Sequence, residues 1–109
     1  MKLASRFRLV FVTCGSERNA VLIARSLVSK KLAACVNIVP SIRSTYRWHG
    51  KIRQGREWLL LIKTRASLLE KARKEVRRLH SYEVPEFLSL SMSSGDTKYL
   101  NWLWKETKT

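Results

Sequence analysis

The chain has 109 residues, enough for one domain of about 13 Å radius of gyration, and 45% of them are hydrophobic. Six glycines and prolines exclude a low-complexity chain, and no stretch reaches the roughly 18 apolar residues of a membrane span. The net charge of +14 is concentrated at one end: residues 1–56 carry twelve basic side chains against Glu17 alone, for +11.

In chain order, "MKLASRF" starts like a signal peptide, but Arg6 and Arg8 interrupt any apolar region. The chain therefore reads as soluble, unexported and cytoplasmic. "RFRLVFVT" (6–13) alternates as a strand does, with Phe7, Leu9 and Phe11 opposite Val10 and Val12. Ser16 stands as an N-cap for a helix whose stripe is Ala20, Ala24, Leu27 and Val28. Residues 33–48 form a long extended run in which Pro40, unable to donate to a ladder, marks a bulge, bend or edge. "HGK" (49–51) supplies a turn and "EWLLLIKT" (57–64) the next strand. Ser67-x-x-Glu70 fits a capping box for a helix that aligns Leu68, Ala72, Val76 and Leu79. "VPEFLSLSM" (84–92) alternates again, and Gly95-Asp96 opens a short aromatic helix.

The order β-α-β-β-α-β plus a terminal helix predicts one α+β domain spanning 1–109, with its core over about 6–106. The predicted fold is a ferredoxin-like sandwich of two helices on one face of a four-stranded antiparallel sheet. "LVFV", "CVNIV" and "WLLLI" are apolar on both faces, whereas two helices cover only one. Self-association in a closed ring is the economical way to bury the other.

Four blocks then converge: "KLAACVNIVPSIRSTYRWHGKI" (31–52), "EWLLLIKT" (57–64), "LHSYEVPEF" (79–87) and "GDTKYLNWLW" (95–104). In order and spacing they resemble the CutA family of divalent-cation tolerance proteins, over about residues 8 to 104. The resemblance implies a homotrimeric ferredoxin-like protein linked to tolerance of copper and other divalent metals, with no settled enzymatic reaction and no organic cofactor. It also implies departures. Copper-type relatives carry a cysteine where this chain has Val12, and a His-His pair where it has Leu79-His80. Cys14 lies two residues further on, which moves a sulfur by roughly 6–7 Å along a strand.

Several candidate residues follow. His80, Cys35 and Glu83 are the side chains with metal-ligand chemistry: an imidazole, a soft thiolate and a carboxylate. Against that, His80 at a helix C-terminus suits the helix dipole, Tyr82 fills a gap, and Glu86 has many lysines with which to pair. Cys14 and Cys35, neither in a CxxC pair, read as reduced packing thiols. Asn37 shares a face with Cys35. Tyr46 and Trp48 fall on one side of a strand end, beside Lys51, and suit a subunit seam or a pocket. Glu57 and Lys63 share a face with Leu59 and Leu61 and suit an interface, as do Tyr99 and Trp102. Lys71, Lys74 and Arg78 form a basic helix face.

Two rival readings remain. A nitrogen-regulatory PII-type trimer shares the topology, but "STYRWHGK" is too short and glycine-poor for an obvious phosphate cradle. A nucleic-acid-binding ferredoxin-like domain is supported by charge alone, because the central strands read as core and not as stacking platforms. The absence of GxxxxGK[ST], GxGxxG, HExxH and GxSxG argues against the corresponding enzymes.

Overall fold

The computed structural model describes residues 3–107. Met1 and Lys2 of the basic opening segment lie outside the described residues. A 3-10 turn over Ala4–Arg6 leads into β1 (Phe7–Cys14), and Ser16 then caps α1 (Glu17–Ser29) by accepting a hydrogen bond from the Asn19 N–H at 3.1 Å. Lys31, at φ 59°, ends α1, and the Leu32 N–H reaches back to the Leu27 carbonyl. β2 (Cys35–Trp48) and β3 (Lys51–Arg65) form a long hairpin closed by His49 and Gly50, both at positive φ as a tight two-residue turn requires. α2 (Leu69–Leu79), β4 (Leu88–Ser91) and α3 (Thr97–Lys105) complete the chain.

The sheet order is β2-β3-β1-β4, with β1 antiparallel to both β3 and β4 and β2 antiparallel to β3. This is the ferredoxin-like α+β arrangement expected from the element order, with β2 at an edge. Val10, Val12, Leu60 and Ile62 stand on the sheet face that meets Ala20, Ile23 and Leu27 of α1 and Ala72 and Val76 of α2. A second cluster of Ala4, Phe7, Ala34, Leu100 and Leu103 seats α3 against the end of the sheet. Arg65 locks that seat. Its side chain, 3% exposed, lies 3.4 Å over the Trp104 ring and donates to Thr107 Oγ1 at 2.6 Å and to the carbonyl oxygens of Trp104 and Thr107.

Several boundaries differ from the sequence reading, each for a physical reason. β3 begins at Lys51 and not at 57, because the polar stretch 51–56 pairs with the outer half of β2 where neither face is buried and no apolar period is needed. The strand read over 84–92 is confined to Leu88–Ser91, since only those residues pair with β1. The Ser67-Glu70 capping box does not form: a 3-10 turn over Ala66–Leu68 precedes α2, and Leu68 occupies the cap position with no side-chain bond. In α1 the fourth buried position belongs to Ile23, and Val28 is exposed. The register does shift at Pro40, between Val39 and Ile42, and Ser41 takes φ 61° there.

Alternation along the ladders puts Leu9, Phe11, Leu59 and Leu61 on the sheet face away from the helices. Val39, Leu88 and Leu90 join them at 37%, 56% and 41% exposure. α1 and α2 lie on the other face, and α3 reaches only one end of this one, where Phe7 clusters with Leu100 and Leu103 and Lys63 Nζ lies 3.3 Å from Tyr99 Oη.

Candidate functional site

The segment joining α2 to β4 is held by polar contacts with α1 and β1. Asn19 donates from Nδ2 to the Leu79 carbonyl at 3.0 Å and accepts from the Ser81 N–H at 3.2 Å. The next residue, His80, ends α2 with its ring turned inward. The Tyr82 N–H donates to His80 Nδ1 at 3.0 Å, which leaves the proton on Nε2 to donate to the Thr13 carbonyl at 2.7 Å. Cys14 Sγ lies 3.7 Å from the same Nε2. Both imidazole nitrogens thus serve the main chain, and a metal ion at either would have to displace a backbone bond.

Tyr82 is the pivot of the site. Its ring lies against Gly15, where a Cβ would come within 2.8 Å of the phenolic oxygen. Its hydroxyl donates to Glu57 Oε2 at 2.8 Å. Burial pushes the Tyr82 phenol up, and the bond to Glu57 pushes it further the same way, so it remains a donor. Burial, with the Glu57 charge as a smaller contribution, pushes the Cys14 thiol up to about 12 and keeps it a neutral, poor metal ligand. Glu86 is likewise raised, by burial first and by Glu57 second.

Around Tyr82 opens a cleft of about 720 Å³, within the range of small-ligand sites. Past the Pro40 bulge, Ser44, Tyr46 and Trp48 fall on the same face of the hairpin as Glu57 and form one wall. Thr13 contributes from β1, and Ser81, Tyr82, Glu83, Val84 and Glu86 form the other wall. Three of the chain's eight acidic residues line the cleft, and none of the described lysines and arginines does. Among the described residues the ion pairs join Glu70 to Arg73 and Glu75 to Lys30 and Arg78, and none engages Glu57, Glu83 or Glu86. Glu86, expected to pair with a lysine, does not.

The residues singled out from sequence therefore separate into two groups. Tyr46, Trp48, Glu57, Tyr82, Glu83 and Glu86 meet in the cleft, with Lys51 across the ladder from Trp48 at the hairpin tip. Cys35, Asn37, Lys63, Tyr99 and Trp102 belong to a separate region. Cys35 is on the rung of Lys63 and 3.8 Å from Asn37 Oδ1. Lys63 Nζ is 3.3 Å from Tyr99 Oη, and the Tyr99 and Trp102 rings are 5.7 Å apart. The proposed ligand set of His80, Cys35 and Glu83 is not assembled. Cys35 lies on the sheet face away from α1 and α2, five rungs along β3 from Cys14 and on the opposite side. Among the described residues, no three His, Cys, Asp or Glu side chains are grouped to hold a metal ion. Of the basic helix face, Arg78 is committed to Glu75 at 2.7 Å. Thr13, Ser44, Ser81 and Gly15 were not foreseen as parts of the site. Ser44 was discoverable from its i, i+2 relation to Tyr46, whereas nothing local pairs Gly15 with Tyr82.

A four-stranded antiparallel sheet in the order β2-β3-β1-β4, with α1 and α2 packed on one face, defines a ferredoxin-like α+β protein. Residues 8–106 match the family model of the CutA1 divalent ion tolerance protein, and the chain belongs to that family. It is 47% identical over 100 residues to the chloroplastic protein CutA of Arabidopsis thaliana, covering 92% of this chain but only 55% of that one. It is 44% identical over 99 residues to the divalent-cation tolerance protein CutA of Thermus thermophilus, covering 91% of this chain and 96% of the relative. The chain thus spans about half the length of the plant relative and nearly all of the bacterial one. The crystal structure of CutA1 from Oryza sativa superposes with a TM-score of 0.93 at 43% identity, covering 97% of both chains.

Proposed function

We propose that the chain works as a self-associated trimer that binds a divalent cation through the cleft, and that it has no catalytic reaction of its own. The carrying observation is that Glu57, Glu83 and Glu86 share one cleft without a cationic partner among the described residues, in a chain of net charge +14. Carboxylate oxygens are hard donors suited to divalent ions. The bonded imidazole of His80 and the neutral thiol of Cys14 make a soft copper site of the Cys-His type a poor alternative. The three carboxylates line one cleft without being grouped into a coordination shell, so a second copy or water supplies the remaining ligands to an ion bound at any of them. The apolar sheet face of Leu9, Phe11, Leu59 and Leu61 supports self-association, because isolated subunits seldom leave so continuous an apolar surface in water.

Sedimentation of the purified chain should return three subunits, and a stable monomer would refute the assembly. Titration with Cu²⁺ and Mn²⁺ at fixed pH should show affinity lost in Glu57→Gln and only modestly reduced in His80→Ala. The reverse pattern would return the site to the histidine.

A further inference from the structure

The cleft's walls say more about its ligand than its charge does. Tyr46, Trp48 and Tyr82 each line it, and each is partly open to solvent, at 46%, 41% and 38% exposure. Tyr46 and Trp48 present their rings from one face of β2, and Tyr82 stands across from them, held by its bond to Glu57. A hard divalent ion draws nothing from such faces, since it binds oxygen and gives up its water reluctantly. A weakly hydrated organic cation is different: it gains from aromatic faces and from a carboxylate together. The rest of the chain's surface repels cations, so a ligand that enters must be selected by this local pairing of π-faces and carboxylates.

We infer that the cleft is a binding site for an organic cation of the alkylammonium or guanidinium class, seated among Tyr46, Trp48 and Tyr82 and neutralised by Glu57, with Glu83 and Glu86 at its rim. The inference rests on the reading of the cleft as the ligand site and deepens it by naming the ligand class. The volume of about 720 Å³ admits a chain of several methylenes between two cationic ends. No covalent step is involved. Specificity over a neutral molecule of equal size comes from the carboxylates, and the rings add an attraction on which a bare divalent ion at the same carboxylates does not draw.

The test is calorimetric titration of the full chain with agmatine, which carries an ammonium and a guanidinium, beside pentan-1-ol as a neutral control. Saturable binding at one site per chain is expected, with no heat from the alcohol. Glu57→Gln, which keeps an acceptor for the Tyr82 hydroxyl, and Trp48→Ala should each weaken agmatine by about tenfold. Circular dichroism establishes that both variants fold. Absence of saturable binding, or equal affinity in wild type and both variants, overturns the inference. So does binding that appears only when Lys51 and Arg53 of the hairpin are replaced by alanine, because the cleft would then be filled by a neighbouring copy's side chain. Mn²⁺ or Cu²⁺ binding without agmatine binding overturns this inference and leaves the divalent-cation reading intact; agmatine binding without metal binding does the opposite.

Discussion

Replacing Arg65 tests how the terminal helix is held. The guanidinium is buried with no carboxylate of the described residues beside it; its partners are Thr107 Oγ1, the carbonyls of Trp104 and Thr107, and the Trp104 ring. Those carbonyls belong to the C-terminal end of α3, where the helix dipole is negative and unpaired acceptors accumulate. Burial lowers the Arg65 pKa, but an arginine stays charged throughout the usable pH range. Arg65→Met keeps most of the apolar stem and removes the donors. Each charged hydrogen bond is worth about 1.5–3 kcal/mol, and stacking on the indole adds about 1–2. The desolvation cost of the guanidinium, several kcal/mol, offsets much of the sum. A net loss of about 2–4 kcal/mol remains, since the mutation also leaves carbonyls without donors. For a domain of this size that lowers the melting temperature by about 10–20 °C. Arg65→Lys should recover less than half, because an ammonium cannot fork between Thr107 and Trp104. Thermal melts at equal protein concentration give the magnitude, and amide exchange should show α3 losing protection ahead of the main sheet. A Met variant melting within 2 °C of wild type, or exchange rising uniformly, would refute the clamp.

Two further outcomes follow from the same geometry. Glu75, buried between the helices and accepting from Ser26, Lys30 and Arg78, is held well below the usual carboxylate range, chiefly by Arg78. Its folded pKa lies below its unfolded one, so its stabilisation is present at neutral pH and is lost as pH falls below about 4. The advantage of wild type over Glu75→Gln in urea midpoint should be full at pH 7 and narrow progressively as pH is lowered from about 5 to 3, without closing there; a gap independent of pH would contradict this. Gly15→Ala should cost little stability, because the side chain it strikes is the free end of Tyr82. The same substitution should weaken ligand binding in the cleft about as much as Tyr82→Phe, since both remove the bond to Glu57. Unchanged binding in Gly15→Ala would show that Tyr82 does not need that seat.

Fold class was legible because its signals are periodic and local. Ser16 before an amphipathic run, the alternation of 6–13 and the proline at 40 each reflect a backbone or burial constraint within a few residues. Legibility failed where the environment was non-local. The first six residues of β3 carry no apolar period because that part of the hairpin stands free of any core, and pairing alone makes them a strand. Ser67 lost its capping role to a 3-10 turn that follows directly from the end of β3 at Arg65. Glu75 reads as one more charge on a charged helix until Ser26 and Lys30, more than forty residues away, converge on it.

The site shows the same division. The cluster at 79–87 was conspicuous in composition, and its conspicuous members divide by role: the carboxylates and Tyr82 face the cleft, while His80 turns away from it. A histidine invites a ligand reading because its type is chemically versatile, but orientation decides its use. Here the ring bridges the Thr13 carbonyl and the Tyr82 amide, and so fixes the end of β1 relative to the loop that carries Tyr82 and Glu83. His80 is therefore a positioning residue. Replacing it should move the loop and reduce the affinity of any cleft ligand modestly, about equally for metal and organic cation, whereas a true ligand would discriminate between them.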